Sequence, residues 1–514
     1  LLKRETIHHT YPFCWRCGTP LLYYAKPSWY IATTKVGSAL QRTNEEEMSW
    51  YPEHIKHGRY GDWIANNVDW AVSRERYWGT PLPFWRCQEC NHTDAIGSFD
   101  ELRDRARDGE SLDLSDPHRP YVDEIELDCS ECGAIMQRVP EVADAWFDSG
   151  AMPYAQWHYA FENAETFEQR FPADFICEAV DQTRGWFYSL HAEAVLLHAA
   201  EQIPAPISYR NIISLGHILD EAGEKMSKSK GNVVDPWSVL DEHGADATRW
   251  YMYTASPPGN PRRFSSSLVG EAQRKFLLTL WNTYSFFVTY ANIDGFDPTS
   301  EPPTEQPDLD RWIRSALHDL VQQVTDLLDH YDPTASARAI EAFVDELSNW
   351  YVRRSRRRFW KSADDQDKAS AYHTLHECLL TLSKLLAPYT PYVAEEIYGN
   401  LASDGELSQA DSVHLAMWPV ADATLIDAEL NQAMGLIQRL ASLGRGARSK
   451  AGVKVRQPLP EVLVGVADDA EASLVSAHQA MLLDELNVKG LRFVDASTEL
   501  VSYVVKPNLP VLGP

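Results

Sequence analysis

Asp174-Phe-Ile-Cys-Glu-Ala-Val180 and Tyr209-Arg-Asn-Ile-Ile-Ser-Leu215 are two strand-like runs on either side of a helical pattern over 183–200. The first, apolar apart from Asp174 and Glu178, reads as a buried strand. Strand, helix and strand of these lengths form a βαβ unit and imply a parallel sheet. Ligands in such sheets bind beyond the carboxyl ends of the strands. Two segments fall there: Glu178 to Gln182 after the first strand, and Lys225-Met-Ser-Lys-Ser-Lys-Gly-Asn-Val-Val234 after the second. The expectation is that both face one nucleotide crevice. A helix is predicted to follow at about 236–254.

The lysine loop concentrates ammonium groups, hydroxyls and a glycine in ten residues. Mobile lysines suit a polyphosphate, because they can follow charge as it moves between phosphate oxygens. The GxxxxGK[ST] spacing of a Walker A loop is missing, which disfavours an ordinary P-loop ATPase. An isolated string of this kind is more often a solvated turn. Its place after a parallel strand favours phosphate.

The 514 residues are enough for three or four domains. No apolar run approaches the ~18 residues of a membrane span, and the start has no signal-peptide h-region, so a cytoplasmic protein is expected. Asp and Glu number 74 against 47 Lys and Arg, a formal charge of −27. Such acidity suits a salt-rich, halophilic cytoplasm and argues against non-specific nucleic-acid binding by the whole surface. Any nucleic-acid contact must use local basic patches.

Six of the eight cysteines form three CxxC pairs: Cys14/Cys17, Cys87/Cys90 and Cys129/Cys132. In a large chain without a secretion signal these read as zinc knuckles. A structural zinc takes four ligands, so one pair must be left over. Cys87/Cys90 with Cys129/Cys132 is the better match, since each follows a strand-like stretch. Cys14/Cys17 is then a half-site, completed by His8 or His9 or by partners on sequence outside this chain. Cys177 and Cys378 are expected to be packed.

From about 266 the pattern turns helical. Leu309, Trp312, Ile313, Leu317, Leu320, Val321 and Val324 share one face; so do Ile340, Phe343, Val344, Leu347, Trp350 and Tyr351, and then Leu375, Leu379, Leu382, Leu385 and Leu386. These make a helix bundle. Within it Arg353, Arg354, Arg356, Arg357 and Arg358 stand between Tyr351 and Trp360. Guanidinium groups beside aromatic rings suit RNA phosphates and unstacked bases, while pairing with nearby carboxylates is the structural alternative. A second basic run comprises Arg445, Arg448, Lys450, Lys454 and Arg456.

In order along the chain these segments resemble the class I aminoacyl-tRNA synthetases and, within them, the isoleucyl-tRNA synthetase family. The lysine loop resembles that family's KMSKS signature. Ser73-Arg-Glu-Arg-Tyr-Trp-Gly-Thr-Pro-Leu-Pro83 resembles its return into the catalytic domain. Ala143-Asp-Ala-Trp-Phe-Asp-Ser-Gly150 and Glu178-Ala-Val-Asp-Gln-Thr-Arg-Gly-Trp-Phe187 resemble its amino-acid and adenylate segments. Trp350 to Trp360 resembles its anticodon-binding helix, and Val453-Lys-Val-Arg-Gln-Pro458 a tRNA-facing motif.

The resemblance implies a multidomain α/β plus all-α protein. Residues 1–72 would be the returning end of an editing insertion, 73–150 a return into the catalytic domain carrying a zinc ribbon, and 151–265 the second half of a Rossmann-like catalytic domain. Residues 266–420 would be a helical anticodon-binding domain, and 421–514 a tRNA-facing segment with the start of a C-terminal domain. It also implies activation of L-isoleucine by ATP with Mg2+, then transfer to tRNA(Ile), by a protein expected to be monomeric.

By the same resemblance Glu178 binds the α-amine, and Asp181 and Gln182 shape the adenylate site. Met226, Ser227 and Ser229 line it, and Lys225 and Lys228 stabilise charge on the phosphates. Trp146 and Trp186 wall the aliphatic side chain. Arg353, Arg354, Arg356, Arg357, Arg358, Trp360, Lys454 and Arg456 contact tRNA. Zn2+ is expected on the four matched cysteines.

The family's HIGH tetrapeptide and threonine-rich editing pocket do not occur in this sequence. The expectation is a piece truncated at both ends and inactive alone. A valyl-tRNA synthetase relative and a non-catalytic zinc-ribbon RNA-binding protein are the competing readings.

Overall fold

The computed structural model describes residues 4–5, 9–14, 17–22, 24–109, 112–227, 231–361, 365–402 and 410–494. Two compact units divide the chain, Leu1–His217 and Ile218–Pro514, so the lysine loop lies in the second and the βαβ unit in the first. Among the described residues no helix is long and apolar enough to cross a membrane.

In the first unit the predicted strands form as Ala173–Ala179 and Tyr209–Leu215, joined by the helix Trp186–Ala199. They pair in parallel, and Ser49–Tyr51 adds a third parallel strand beside Tyr209–Leu215. Trp50, Tyr60, Phe187, Leu190, Tyr209 and Ile212 build the core under this sheet. The first strand differs from expectation. It is outermost in the three-stranded order, and most of it is exposed, including Phe175 and Cys177. Cys177 is therefore not packed, whereas Cys378 is. The physical reason is one-sided cover: among the described residues the strand has a neighbour along one edge alone.

A second, antiparallel sheet orders Thr93–Ala95, Phe84–Cys87, Ile135–Arg138 and Leu127–Asp128 over a small core of Trp85, Leu127 and Met136. Its hairpin ends carry Cys87 and Cys129.

In the second unit the helix predicted over 236–254 is two, Pro236–His243 and Ala245–Thr254. Gly244 breaks them at φ +83°, a conformation that side chains disfavour. The bundle helices form on the predicted faces. Trp312, Ile313, Leu317, Ile340, Phe343, Leu347, Leu375, Leu379 and Leu382 share one core. Starts are set locally: Asp332 caps Ala335 N–H ahead of Pro333, and Asp427 caps Leu430 N–H. A π-helical turn, Leu347–Val352, leads into the arginine helix Arg353–Lys361.

Candidate functional site

Four cysteines converge in the ribbon. Cys87 Sγ lies 3.5 Å from Cys132 Sγ, Cys90 Sγ 3.7 Å from Cys129 Sγ, and Cys132 Sγ 3.6 Å from Cys90 Sγ. All four sulfurs fall within 4.8 Å of one another. Thiolates ~2.3 Å from a tetrahedral zinc stand about 3.8 Å apart, so these sulfurs trace the edges of such a tetrahedron. The backbone N–H groups of Cys90 and Glu89 donate to Cys87 Sγ and favour its thiolate form, while the crowding of sulfurs raises Cys90 and Cys132. Cys14 and Cys17 join no such cluster among the described residues. The Cys17 thiol instead meets the Thr19 hydroxyl at 3.1 Å, a contact that leads in drawing its pKa down to about 7. His9 bonds the neighbouring Thr10 carbonyl, and His8 lies outside the described residues.

At the end of the Ala173–Ala179 strand, Glu178 and Asp181 are exposed. A 3-10 turn, Val180–Arg184, brings Gln182 back over the next helix, where its Oε1 accepts Trp186 N–H at 3.0 Å. Gln182 thus closes a helix N-terminus, a role that its place in the motif does not suggest. Gly185 is required here. A Cβ on it would stand 2.8 Å from Gln182 Oε1 and 2.9 Å from the Trp146 ring. Trp186 donates its indole N–H to Ser149 carbonyl at 2.9 Å, locking the WFDSG helix Ala145–Gly150 against it. Trp146 thus lies against Gly185, the residue before Trp186, and is 45% exposed.

Two buried titratable groups underlie this corner, and sequence reasoning missed both. His191 is wedged between the Thr43 and Tyr60 hydroxyls at 2.7 Å each, and burial pulls its pKa down to about 3. Glu193 packs so closely on Gly150 that a Cβ there would stand 2.0 Å from its Oε1, an oxygen without a hydrogen-bond partner. Burial, reinforced by Asp148, pushes the Glu193 carboxyl up to about 9.

Unfolded, that carboxyl ionises near 4.5, so the native state carries the extra proton between about 4.5 and 9. Stability therefore declines as pH rises through this window, by up to ~1.4 kcal/mol per pH unit, and levels off above it. Glu193→Gln is expected to flatten the decline. Urea midpoints from pH 5 to 9 decide it; equal slopes in both proteins would remove Glu193 as the cause.

In the second unit Lys225 is exposed and pairs its backbone with Leu219 across a tight hairpin. Met226 is partly buried and packs against a small core of Val239, Ala247, Tyr251 and Phe264, which anchors the loop. Ser227 donates its backbone N–H to Asn232 Oδ1. Lys228 and Ser229 lie outside the described residues.

The arginine cluster splits. Arg358 is drawn inward onto buried Asp310 at 2.6 and 2.7 Å. Tyr351 Oη and Ser370 Oγ donate to the same carboxylate at 2.8 and 2.6 Å. Arg353 and Arg354 both bind Glu485, which also takes Arg445, and both lie over the Trp350 ring. Arg356 and Arg357 are without an ion pair among the described residues, and Trp360 is half exposed. In the second basic run Arg448 is buried and donates to the carbonyls of Lys454, Gln457, Leu486 and Asn487, so it builds the loop that leaves Lys454 and Arg456 exposed. A charge-rich string cannot show which members turn inward; a lone Asp310 on an apolar helix face was the available signal.

Residues 17–265 match the family model of class I tRNA synthetases (I, L, M and V), and residues 310–463 that of the anticodon-binding domain of tRNA ligases. The methionyl-tRNA synthetase of Mycobacterium tuberculosis, solved with methionyl-adenylate, shares the fold at TM-score 0.57 and 19% identity, over 77% of this chain and 66% of that one. The LeuRS–tRNA–LeuAMS complex of Agrobacterium radiobacter K84 does so at TM-score 0.53 and 22% identity, over 70% of this chain and 43% of that one. The chain belongs to the class I tRNA synthetases. An isoleucine–tRNA ligase of Dehalococcoides mccartyi is 57% identical over 97% of this chain and 49% of its own length. One from Thermus thermophilus is 52% identical over 100% of this chain and 48% of its own. The chain thus spans about half the length of the curated relatives it matches.

Proposed function

We propose that this chain is part of an isoleucine–tRNA ligase, which activates L-isoleucine with ATP and transfers it to tRNA(Ile). The observation that carries the reading is 57% identity to such a ligase along nearly the whole chain. In this reading Glu178 receives the α-ammonium group, and Trp146 and Trp186 offer flat apolar walls to the branched side chain. Asp181 borders the adenylate. Lys225 and Lys228 bring positive charge to the phosphates as the carboxylate attacks the α-phosphorus and pyrophosphate leaves. Covalent work for the protein is small, so orientation and electrostatics carry the rate.

Mg2+ enters with ATP, on the resemblance alone. The four-cysteine cluster suits a closed structural Zn2+, held by Cys87, Cys90, Cys129 and Cys132. Arg356, Arg357, Trp360, Lys454 and Arg456 are the groups available to tRNA. Functional segments are assigned as 1–72, 73–150, 151–265, 266–420 and 421–514, in a monomer of the cytoplasm. The formal charge of −27 suits a salt-rich one.

The test is ATP–pyrophosphate exchange by the full-length protein with isoleucine or valine. A methylene in an apolar pocket distinguishes substrates by ~10–200-fold, and the isoleucine enzyme is itself the standard example of that limit. Isoleucine is expected to be preferred in that range. Equal or greater exchange with valine would overturn the assignment.

A further inference from the structure

After the strand Ile218–Leu219 the chain turns through 220–224 and returns to form the bridge between Leu219 and Lys225. The turn is built locally. Asp220 donates its N–H to Glu224 carbonyl at 2.8 Å, accepts Glu224 N–H on Oδ1 at 2.7 Å, and leaves Gly223 at φ +90°. One side chain ties the start of the lysine loop to this turn. Asn232 Oδ1 accepts Ser227 N–H at 2.9 Å, while its Nδ2 donates to Asp220 Oδ2 at 2.7 Å and to Lys225 carbonyl at 3.3 Å.

Both ends of the Asn232 amide are therefore used, and only one orientation works. Turned over, its NH2 would face Ser227 N–H and its oxygen would face a carboxylate and a carbonyl. The Asn232 amide, with the N–H of Glu224, holds the Asp220 carboxyl below its usual range, so the acceptor stays ionised. The Lys225 ammonium is exposed and has no ion-pair partner among the described residues. A fixed backbone thus carries a free charge.

We propose that Asn232 is a positioning residue for adenylate formation: through the backbone of Lys225 and Ser227 it sets where the lysine loop delivers positive charge. This rests on the synthetase reading above. Asn232 itself touches no substrate in this role. Its side chain spans Asp220, Lys225 and Ser227, so its loss frees the loop from the hairpin without opening a core.

Asn232→Ala in the full-length enzyme is expected to lower kcat for isoleucine-dependent pyrophosphate exchange about 10²-fold, the cost of misplacing a charged group by ~1 Å. The KM for isoleucine should stay within about twofold, because the amino acid is bound by other segments. Adding Lys225→Ala should then cost little more, since the two act as one unit. Asn232→Asp should be at least as harmful, and combining it with Asp220→Asn should recover most of the loss by reversing donor and acceptor. In the present chain, amide hydrogen exchange at Ser227 should speed up in Asn232→Ala while bundle amides stay protected.

Unchanged Ser227 protection would overturn the clamp. Faster Ser227 exchange with kcat unaltered, or a parallel rise in isoleucine KM, would overturn the positioning role. No isoleucine-dependent exchange in the unsubstituted enzyme would overturn the synthetase reading and this role with it, while the Ser227 amide still reports on the clamp independently.

Discussion

Asp310→Ala is expected to destabilise the helical unit by ~3 kcal/mol, the lower end for a broken buried pair, because it leaves the Arg358 guanidinium only the partly exposed Asp367 carboxylate. Asp310 has no exposed surface and accepts from Arg358, Tyr351 and Ser370 together. Few carboxylates can be buried at all, and this one is tolerated because each oxygen is hydrogen-bonded. Removing the partner therefore does more harm than removing the pair. Asp310→Leu combined with Arg358→Met should recover most of the lost stability, since a well-packed apolar replacement of a buried ion pair is often neutral. Urea unfolding followed by helical circular dichroism measures both. A loss below about 1 kcal/mol for Asp310→Ala would show that water or the neighbouring Asp367 carboxylate relieves Arg358.

The second large effect concerns the ribbon. Loading the chain with zinc is expected to give one tightly held ion, and Cys129→Ser or a strong chelator should unfold the 84–138 segment while leaving the bundle intact. The ribbon core is small, nine buried side chains around Trp85, Leu127 and Met136, two of them cysteines of the cluster. Burial of that size cannot hold a four-stranded sheet by itself. Four thiolates binding zinc contribute roughly 10–16 kcal/mol in small zinc modules, far more than such a core. Zinc per chain and tryptophan emission from Trp85 report the result. A metal content near zero in protein prepared with zinc, or an unchanged Trp85 signal after chelation, would rule the site out.

These two sites differ in how legible they are in the sequence. Cysteine is rare and its zinc chemistry is narrow, so two knuckles 39 to 45 residues apart can be matched from spacing and context. The matched sulfurs do meet. Carboxylates and arginines are common, and any of many could pair. Arg354 meets Glu485 at a separation of 131 residues, and Arg358 meets Asp310 at 48. No spacing rule reaches across such distances. The arginine run offers five candidate RNA contacts, and the fold ties three of them to carboxylates.

The same contrast runs through the catalytic segments. Trp146 and Trp186 read as pocket walls from the sequence; the structure sets Trp146 against Gly185 and Trp186 on the Ser149 carbonyl. Met226 and Gln182 read as ligand contacts; what the sequence does not show is that one packs into a core and the other caps a helix. Asn232 gives no signal of its own inside the lysine loop, because an asparagine after a glycine usually marks a turn and nothing more.

Local periodicity was enough to determine the parallel strand–helix–strand unit, the apolar faces of the long helices and the pairing of the knuckles. Those properties depend on residues close in sequence, or on a chemistry too rare to be ambiguous. Which charges remain free, which polar groups are buried in pairs, and whether a strand is covered on both sides were decided by tertiary structure alone. Each of those depends on what a distant part of the chain places within a few ångströms, where desolvation and Coulomb energy are settled.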